Sequence, residues 1–375
     1  MNKQQLLSAI TNVQTPIIGQ HAGAGNFYPT GINTLITTLP KRPGLVGTDL
    51  GYGCWGVLPE AFEGFRADWG NAAVQLWEQG SLLTVGWHIQ NPWTKGDVVD
   101  LNIGKMADLW TPGNAAYTQY RAMLNRVRYV FDWFKARNVP LLFRPLHECN
   151  GRWHWYENRA QSDYVRLWHD MYEHLNDDHI VWVYSPNRQF DNLKMPSYYY
   201  PGDDVVDICA IDHYSKPTDN EWEWIDESWE DLSALGKPMA LGEIGCGNGT
   251  SGTGSRSSKF DLSTIPGLIS RHAPGAKWAM FWNEGWAIAK NNGINALMSA
   301  TLGAGEWMND TPPPPPPPPP ETIDLSQQIA ALGQIVDDLD SLKSKLQSLE
   351  HPNQATAIQV EMSRLGAVID DLEAM

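Results

Sequence analysis

Eight short apolar runs recur along the first 310 residues, separated by longer amphipathic stretches. They are TPIIGQH (15–21), GLVGTDL (44–50), LLTVGWH (82–88), VPLLFRPLHE (139–148), HIVWVYSPN (179–187), VVDICAIDHY (205–214), KPMALGEIG (237–245) and KWAMFWNEG (277–285). Runs of this length read as buried strands, and the 3.6-residue periodicity between them reads as helix. AYTQYRAMLNRVRYVFDWFKARN (116–138) puts Met123, Val127, Val130, Phe131 and Phe134 on one side. SDYVRLWHDMYEHL (162–175) aligns Tyr164, Trp168, Met171, Tyr172 and Leu175 behind Ser162 as an N-cap. Eight strands alternating with helices predict an α/β fold, a closed (β/α)8 TIM barrel. The rival is an open doubly wound sheet, ranked lower because no Gly-rich nucleotide turn follows the first run.

Nine consecutive prolines in TPPPPPPPPPE (311–321) end this pattern. Such a tract enters neither a helix nor a central strand and predicts a polyproline II rod of about 28 Å. Every Trp, Tyr and Phe precedes it, and the 10 acidic and 3 basic residues after it leave the tail at −7. In the tail Leu325, Ile329, Leu332, Val336 and Leu339 form an apolar stripe that Leu342, Leu346 and Leu349 resume; HPN (351–353) breaks it, and Ile358, Met362, Leu365, Ile369 and Leu372 repeat it. The expected organisation is therefore a barrel over 1–310, a linker over 311–321 and a helical hairpin or coiled coil over 322–375. An aromatic-free seam of this kind predicts self-association into a homo-oligomer or larger assembly, against the alternative of a small intramolecular bundle.

A net charge of −16 argues against nucleic acid and anionic membrane surfaces as partners. No apolar run reaches the roughly 18 residues of a membrane-spanning helix. MNKQQLLSAITNVQTP reads as no signal peptide. The four cysteines (54, 149, 209, 246) lack metal-ligand spacing and read as packed thiols, so neither a metal nor a cofactor is expected.

The ends of the runs are unusually polar, carrying Gln20, His21, Asp49, Trp87, His88, His147, Glu148, Asn187, Asp212 to Tyr214, Glu243 and Trp282 to Glu284. In a barrel of this type that edge is the active-site face. Glu148 ends the fourth run and Glu243 the seventh, placing two carboxylates across the barrel from each other. Glycoside hydrolysis needs two, one to protonate the leaving oxygen and one to attack or to activate water. Arg144, two residues before Leu146 on the same run, can reach the interior and support them. Trp153, Trp155, Trp282, Trp87 and Trp93 are candidate platforms, because indoles bury the C–H faces of pyranose rings. For each of them simple packing is the competing reading.

RPLHECNGRWHW (144–155) resembles the R-P-x-H-E-x-N-G-x-W-x-W signature of glycoside hydrolase family 26, known chiefly for β-mannanases. WHIQNPW (87–93), IDHYS (211–215), LGEIGC (241–246) and FWNEGW (281–286) resemble further motifs of that family in the same order. The resemblance covers about residues 15 to 305. It implies a retaining mechanism with Glu148 as acid/base and Glu243 as nucleophile, their carboxyl groups about 5 to 5.5 Å apart. It further implies that His147 orients the acid or binds sugar, that Tyr214 hydrogen-bonds the nucleophile, and that His88 and Asn91 contact hydroxyls near the cleaved bond. Glu148 is expected to start protonated, through burial and the charge of Glu243.

Cys149, Leu146 and the run His154-Trp155-Tyr156 depart from the family pattern beside the acid. The expected function is an endo-acting retaining β-glycanase on β-1,4-mannan. The alternatives are a β-1,3-xylanase or mixed-linkage β-glucanase of the same family, and a non-catalytic glycan-binding adhesin on the same barrel. The loop CGNGTSGTGSRSS (246–258) is expected to wall the cleft. An enzyme carried on a proline rod above a self-associating helix resembles a component of a larger particle, which places it outside the cell or on a virion.

Overall fold

The computed structural model describes residues 1–24, 35–50, 70–247, 259–308, 326–348, 358, 359 and 362. The chain divides into two units, Met1–Pro314 and Pro315–Met375.

The first unit is a closed barrel of eight parallel strands in sequence order: β1 (Ile17–Ala24), β2 (Leu45–Asp49), β3 (Leu82–Trp87), β4 (Leu141–Pro145), β5 (Ile180–Tyr184), β6 (Ile208–Ser215), β7 (Met239–Cys246) and β8 (Trp278–Phe281). Closure comes from β1 pairing with β8, Ile17 opposite Trp278 and Gln20 opposite Phe281. Each strand matches one of the eight apolar runs. The runs are apolar throughout because both faces are covered. Ile17, Leu45, Leu82, Leu142, Val181, Ile208, Ala240 and Trp278 fill the barrel interior. Their neighbours Ile18, Val46, Leu83, Leu141, Ile180, Cys209 and Leu241 pack outward under the helices.

The helix Ala115–Lys135 lays Tyr120, Met123, Leu124, Val127, Val130, Phe131 and Phe134 against that outer layer, and the Asn114 side chain caps it by accepting from Ala116 N. The helix Gln161–Leu175 buries Tyr164, Leu167, Trp168, Met171 and Leu175. Ser162 lies inside its first turn, so the predicted N-cap is corrected: Ala160 holds that position without a side-chain bond. The helix Lys3–Asn12 packs Leu6, Ala9 and Ile10, with Trp307, onto the interior cluster. The lower barrel is thus apolar, and polar side chains concentrate at the other end.

In the second unit Ser326–Ser348 is helical. The proline tract, most of the loop 246–258, Cys54 and nearly all of the second tail segment lie outside the described residues. Cys149 and Cys209 are buried thiols. Among the described residues no helix is long and apolar enough to cross a membrane.

Candidate active site

Glu243 reaches the barrel interior through an irregularity in β7. Leu241 and Ile244 both pack outward, although strict alternation would separate outward positions by two residues. The register of β7 shifts against β6 between Ile211 and Asp212, and against β8 between Leu241 and Ile244. This is a bulge, and it re-aims Glu243 inward. Gly242 makes it possible. A Cβ there would lie 2.2 Å from Ser185 Oγ and 2.5 Å from Asp212 Oδ1.

Glu148 arrives differently. The fourth run was read as strand to its end, but β4 stops at Pro145. Leu146 (φ 48°) and Glu148 (φ 56°) take left-handed backbone conformations, which β-carbons disfavour. Neighbours hold them there. Glu148 N donates to Ser185 O at 2.7 Å, Tyr164 Oη donates to Leu146 O at 3.1 Å, and Tyr156 Oη donates to His147 O at 3.1 Å. β4 and β7 are three staves apart rather than diametrically opposed. Even so, carboxylate oxygens of Glu148, Asp212 and Glu243 all lie within 4.8 Å of one another.

Arg144, 1% exposed, sits among these acids. One guanidinium nitrogen donates to Asp212 Oδ2 at 3.0 Å and the other to Glu243 Oε1. Tyr214 Oη donates to Glu243 Oε2 at 2.6 Å. Ser185 Oγ donates to Asp212 Oδ1 at 2.7 Å. Burial alone would lower the Arg144 pKa, but the charges of Glu243 and Asp212 raise it further still. A buried guanidinium shared by two carboxylates in this way is a charge-assisted clamp.

Burial, then the charge of Glu243, push the Glu148 pKa up to about 7. Trp153 Nε1 donates to its Oε2 at 2.7 Å. His88 Nδ1 lies 2.7 Å from Asp49 Oδ2, and its Nε2 lies 3.2 Å from His147 Nε2. Burial works against protonation of His88, yet Asp49 raises its pKa above the ordinary value. Burial and Arg144 hold His147 well below its ordinary value. The two Nε2 atoms thus face each other, with His88 anchored by Asp49 through its other nitrogen. His147 Nε2 is 3.8 Å from Glu243 Oε1.

The tryptophans divide. Trp282 and Trp153 are half-buried; Trp282 stacks on His21 with centroids 3.9 Å apart, and Trp153 stacks against Phe190 at 6.3 Å. Trp155 is fully buried with Nε1 donating to Ile89 O at 2.8 Å, and Trp87 is buried against Phe143. Neither presents a face to a sugar, so both lose the platform role. Trp93 is half-buried, edge-on to Trp155, and donates to Asp108 Oδ2 at 3.2 Å. Asn91 is also corrected. Its amide nitrogen donates to Asp100 O (2.7 Å) and Asn102 O (2.9 Å), and its oxygen accepts from Trp93 N (2.9 Å) and Thr94 N (3.3 Å). With both donors engaged it organises its own loop and has none left for a hydroxyl.

Three acidic residues left without a role by sequence reasoning belong to this site. Asp49 fixes His88, Asp212 shares Arg144, and Glu157 lies under the Trp153 loop. The polar strand ends signalled the first two, whereas Glu157 follows no strand and carried no such signal. Glu148, Asp212 and Glu243 could offer oxygens to a cation, but Arg144 already occupies the two inner acids with its own positive charge.

Residues 17–304 match the family model for glycosyl hydrolase family 26. The chain is 28% identical over 291 residues to a mannan endo-1,4-beta-mannosidase of Bacillus subtilis strain 168, covering 72% of this chain and 75% of that one. It is 28% identical over 269 residues to mannan endo-1,4-beta-mannosidase A and B of Caldalkalibacillus mannanilyticus, covering 68% of this chain and 49% of the relative. The structure of the Bacillus subtilis mannanase BCman superposes with a TM-score of 0.66 at 26% identity, covering 82% of this chain and 93% of that one. With the barrel, the two glutamates at its polar end and the family match agreeing, the chain belongs to glycosyl hydrolase family 26 and is a glycoside hydrolase.

Proposed function

We propose that the protein is a retaining endo-β-1,4-mannanase in which Glu148 is the acid/base and Glu243 the nucleophile. The approach of their carboxylate oxygens to within 4.8 Å carries this reading. It suits the roughly 5–5.5 Å carboxyl spacing of retaining enzymes rather than the ~6.5–9.5 Å that leaves room for an inverting water. The mannosidases of Bacillus subtilis and Caldalkalibacillus mannanilyticus support the choice of mannan.

Glu243, held by Arg144 and Tyr214, attacks the anomeric carbon while Glu148 gives its proton to the departing glycosidic oxygen. A glycosyl ester forms on Glu243, and the negative charge that helped raise the Glu148 pKa disappears. Glu148, now a carboxylate, takes a proton from water as that water attacks the ester, releasing sugar with its original configuration. His88, held between Asp49 and His147, borders the reacting carbon, and Trp153 and Trp282 supply apolar floors.

The test is hydrolysis of mannan, glucomannan, β-1,3-xylan and lichenan, with the anomer of the first product read by proton NMR. Preferred cleavage of mannan to the β-anomer fits the proposal. An α-anomer overturns the mechanism, and stronger cleavage of xylan or lichenan overturns the substrate.

The tail is read as a self-association segment on a proline spacer, suited to an extracellular or virion-borne assembly. Ile335 and Leu342 are each 46% exposed on the helix Ser326–Ser348, an apolar surface that a second copy would cover. Light scattering on the full chain, beside a chain ending at 310, tests it. Equal masses per chain would rule it out.

A further inference from the structure

Glu157 has no part in the chemistry above, yet it lies beneath the acid. It is 2% exposed. Its Oε2 accepts from Trp153 N at 2.6 Å, and its Oε1 lies 2.6 Å from His154 Nδ1. Trp153 then turns its indole so that Nε1 donates to Glu148 Oε2 at 2.7 Å. Ligand atoms of Glu148, His154 and Glu157 fall within 4.8 Å of one another. The loop is wound closely around this carboxyl, since a Cβ at Gly151 would lie 2.6 Å from Glu157 Oε2.

A buried carboxyl is costly unless its bonds are satisfied. Burial pushes the Glu157 pKa well above its ordinary value, while burial and His88 lower that of His154 to about 3. Its Oε2 is engaged by the Trp153 amide, while the His154 Nδ1 beside its Oε1 also lies 3.1 Å from Tyr156 Oη.

We propose that Glu157 is a positioning residue for the acid/base: by holding the Trp153 amide it fixes the indole that aims Glu148 at the leaving oxygen. This rests on the acid/base reading of Glu148. A misplacement of the acid by about 1 Å is enough to cost up to ~100-fold in rate. The loss should fall only on steps that need proton transfer.

The test compares Glu157→Ala, Glu157→Gln and Trp153→Phe on mannan and on a 2,4-dinitrophenyl β-manno-oligosaccharide, whose leaving group departs without a proton. Glu157→Ala should lower kcat on mannan roughly 10- to 100-fold with KM little changed. On the aryl substrate its pre-steady-state burst should keep the parent rate, while turnover after the burst slows. Glu157→Gln keeps an acceptor for Trp153 N and should recover most of the rate. Trp153→Phe removes the indole N–H and should reproduce the alanine pattern even if Glu157→Ala fails to fold. A burst rate on the aryl substrate reduced as much as kcat on mannan, no rescue by Gln, or mannan activity in Glu157→Ala equal to the parent overturns the proposal. A parent that cleaves neither substrate overturns the acid/base reading itself.

Discussion

Tyr214 Oη and Glu243 Oε2 are 2.6 Å apart, and Arg144 donates to the other oxygen of the same carboxylate. Both Glu243 oxygens are thus engaged before substrate arrives, whereas Glu148 has the Trp153 indole on one oxygen. The two acids are prepared for different tasks, one fixed in place and the other ready to exchange a proton.

The pH profile should report that difference. Glu148 must carry a proton to act as acid, and its pKa lies near 7. kcat/KM on mannan should therefore fall as pH rises, with a midpoint near 7. Glu243, His154 and Glu157 are the titratable groups that act on it. Glu243→Gln removes the charge that raises it most and should lower the Glu148 pKa, measured by NMR titration of the inactive variant.

The raised pKa also predicts a stability effect. The folded state holds the Glu148 proton more tightly than the unfolded state does, whose reference value is 4.5. That contribution is full below pH 4.5 and is lost as pH rises through 7. Glu148→Gln should therefore be more stable than the parent at pH 8, by roughly 1–3 kcal/mol, and close to it at pH 4. Denaturant unfolding at both pH values checks the sign.

Removing the cation from the buried acids should be severe. Arg144→Met leaves Asp212 and Glu243 facing each other without their shared guanidinium. A loss of about 3–5 kcal/mol is expected, together with hydrolysis. Arg144→Lys supplies one point of charge in place of two directed donors and should fall between, as read by urea unfolding.

Gly242→Ala should disable the enzyme although it adds one methyl group. The new Cβ meets Ser185 Oγ at 2.2 Å and Asp212 Oδ1 at 2.5 Å, so the bulge must shift and Glu243 with it. About 1–3 kcal/mol of stability should go. Ser185→Ala in the same chain should return part of it, measured as Tm.

The two classes of tryptophan should separate by readout. Trp155→Ala empties a sealed site and should cost about 3–5 kcal/mol. Trp282→Ala should leave stability closer to the parent and raise KM for mannan, because its ring is half-buried over His21. Unfolding curves and Michaelis plots for both variants provide the check.

The barrel was legible because both faces of its strands are covered, so each strand appears as an unbroken apolar run. The two glutamates stood out because each lies at the polar end of such a run. Less visible was how each reaches the centre. Periodicity does not reveal that β7 slips by one residue at Gly242, or that the chain leaves strand geometry at Leu146. Trp153 and Trp155 are two residues apart in one motif, but one is half-buried beside Glu148 and the other is sealed against Ile89. Their roles follow from the path of the loop, which residue type does not encode. Asn91 matched a motif yet spends its amide on neighbouring backbone, a fact visible only when the loop 91–102 is folded.

Leu146 and Glu148, with positive φ on either side of His147, make the acid's support a bent spring latched by Tyr156 and Tyr164. Glu243 instead stands within strand β7, beside the bulge at Gly242. Substitutions at the two tyrosine latches can therefore retune the acid's reach toward different departing sugars while the attacking atom keeps its coordinates. In a lineage that changes substrates, this loop is the part free to drift.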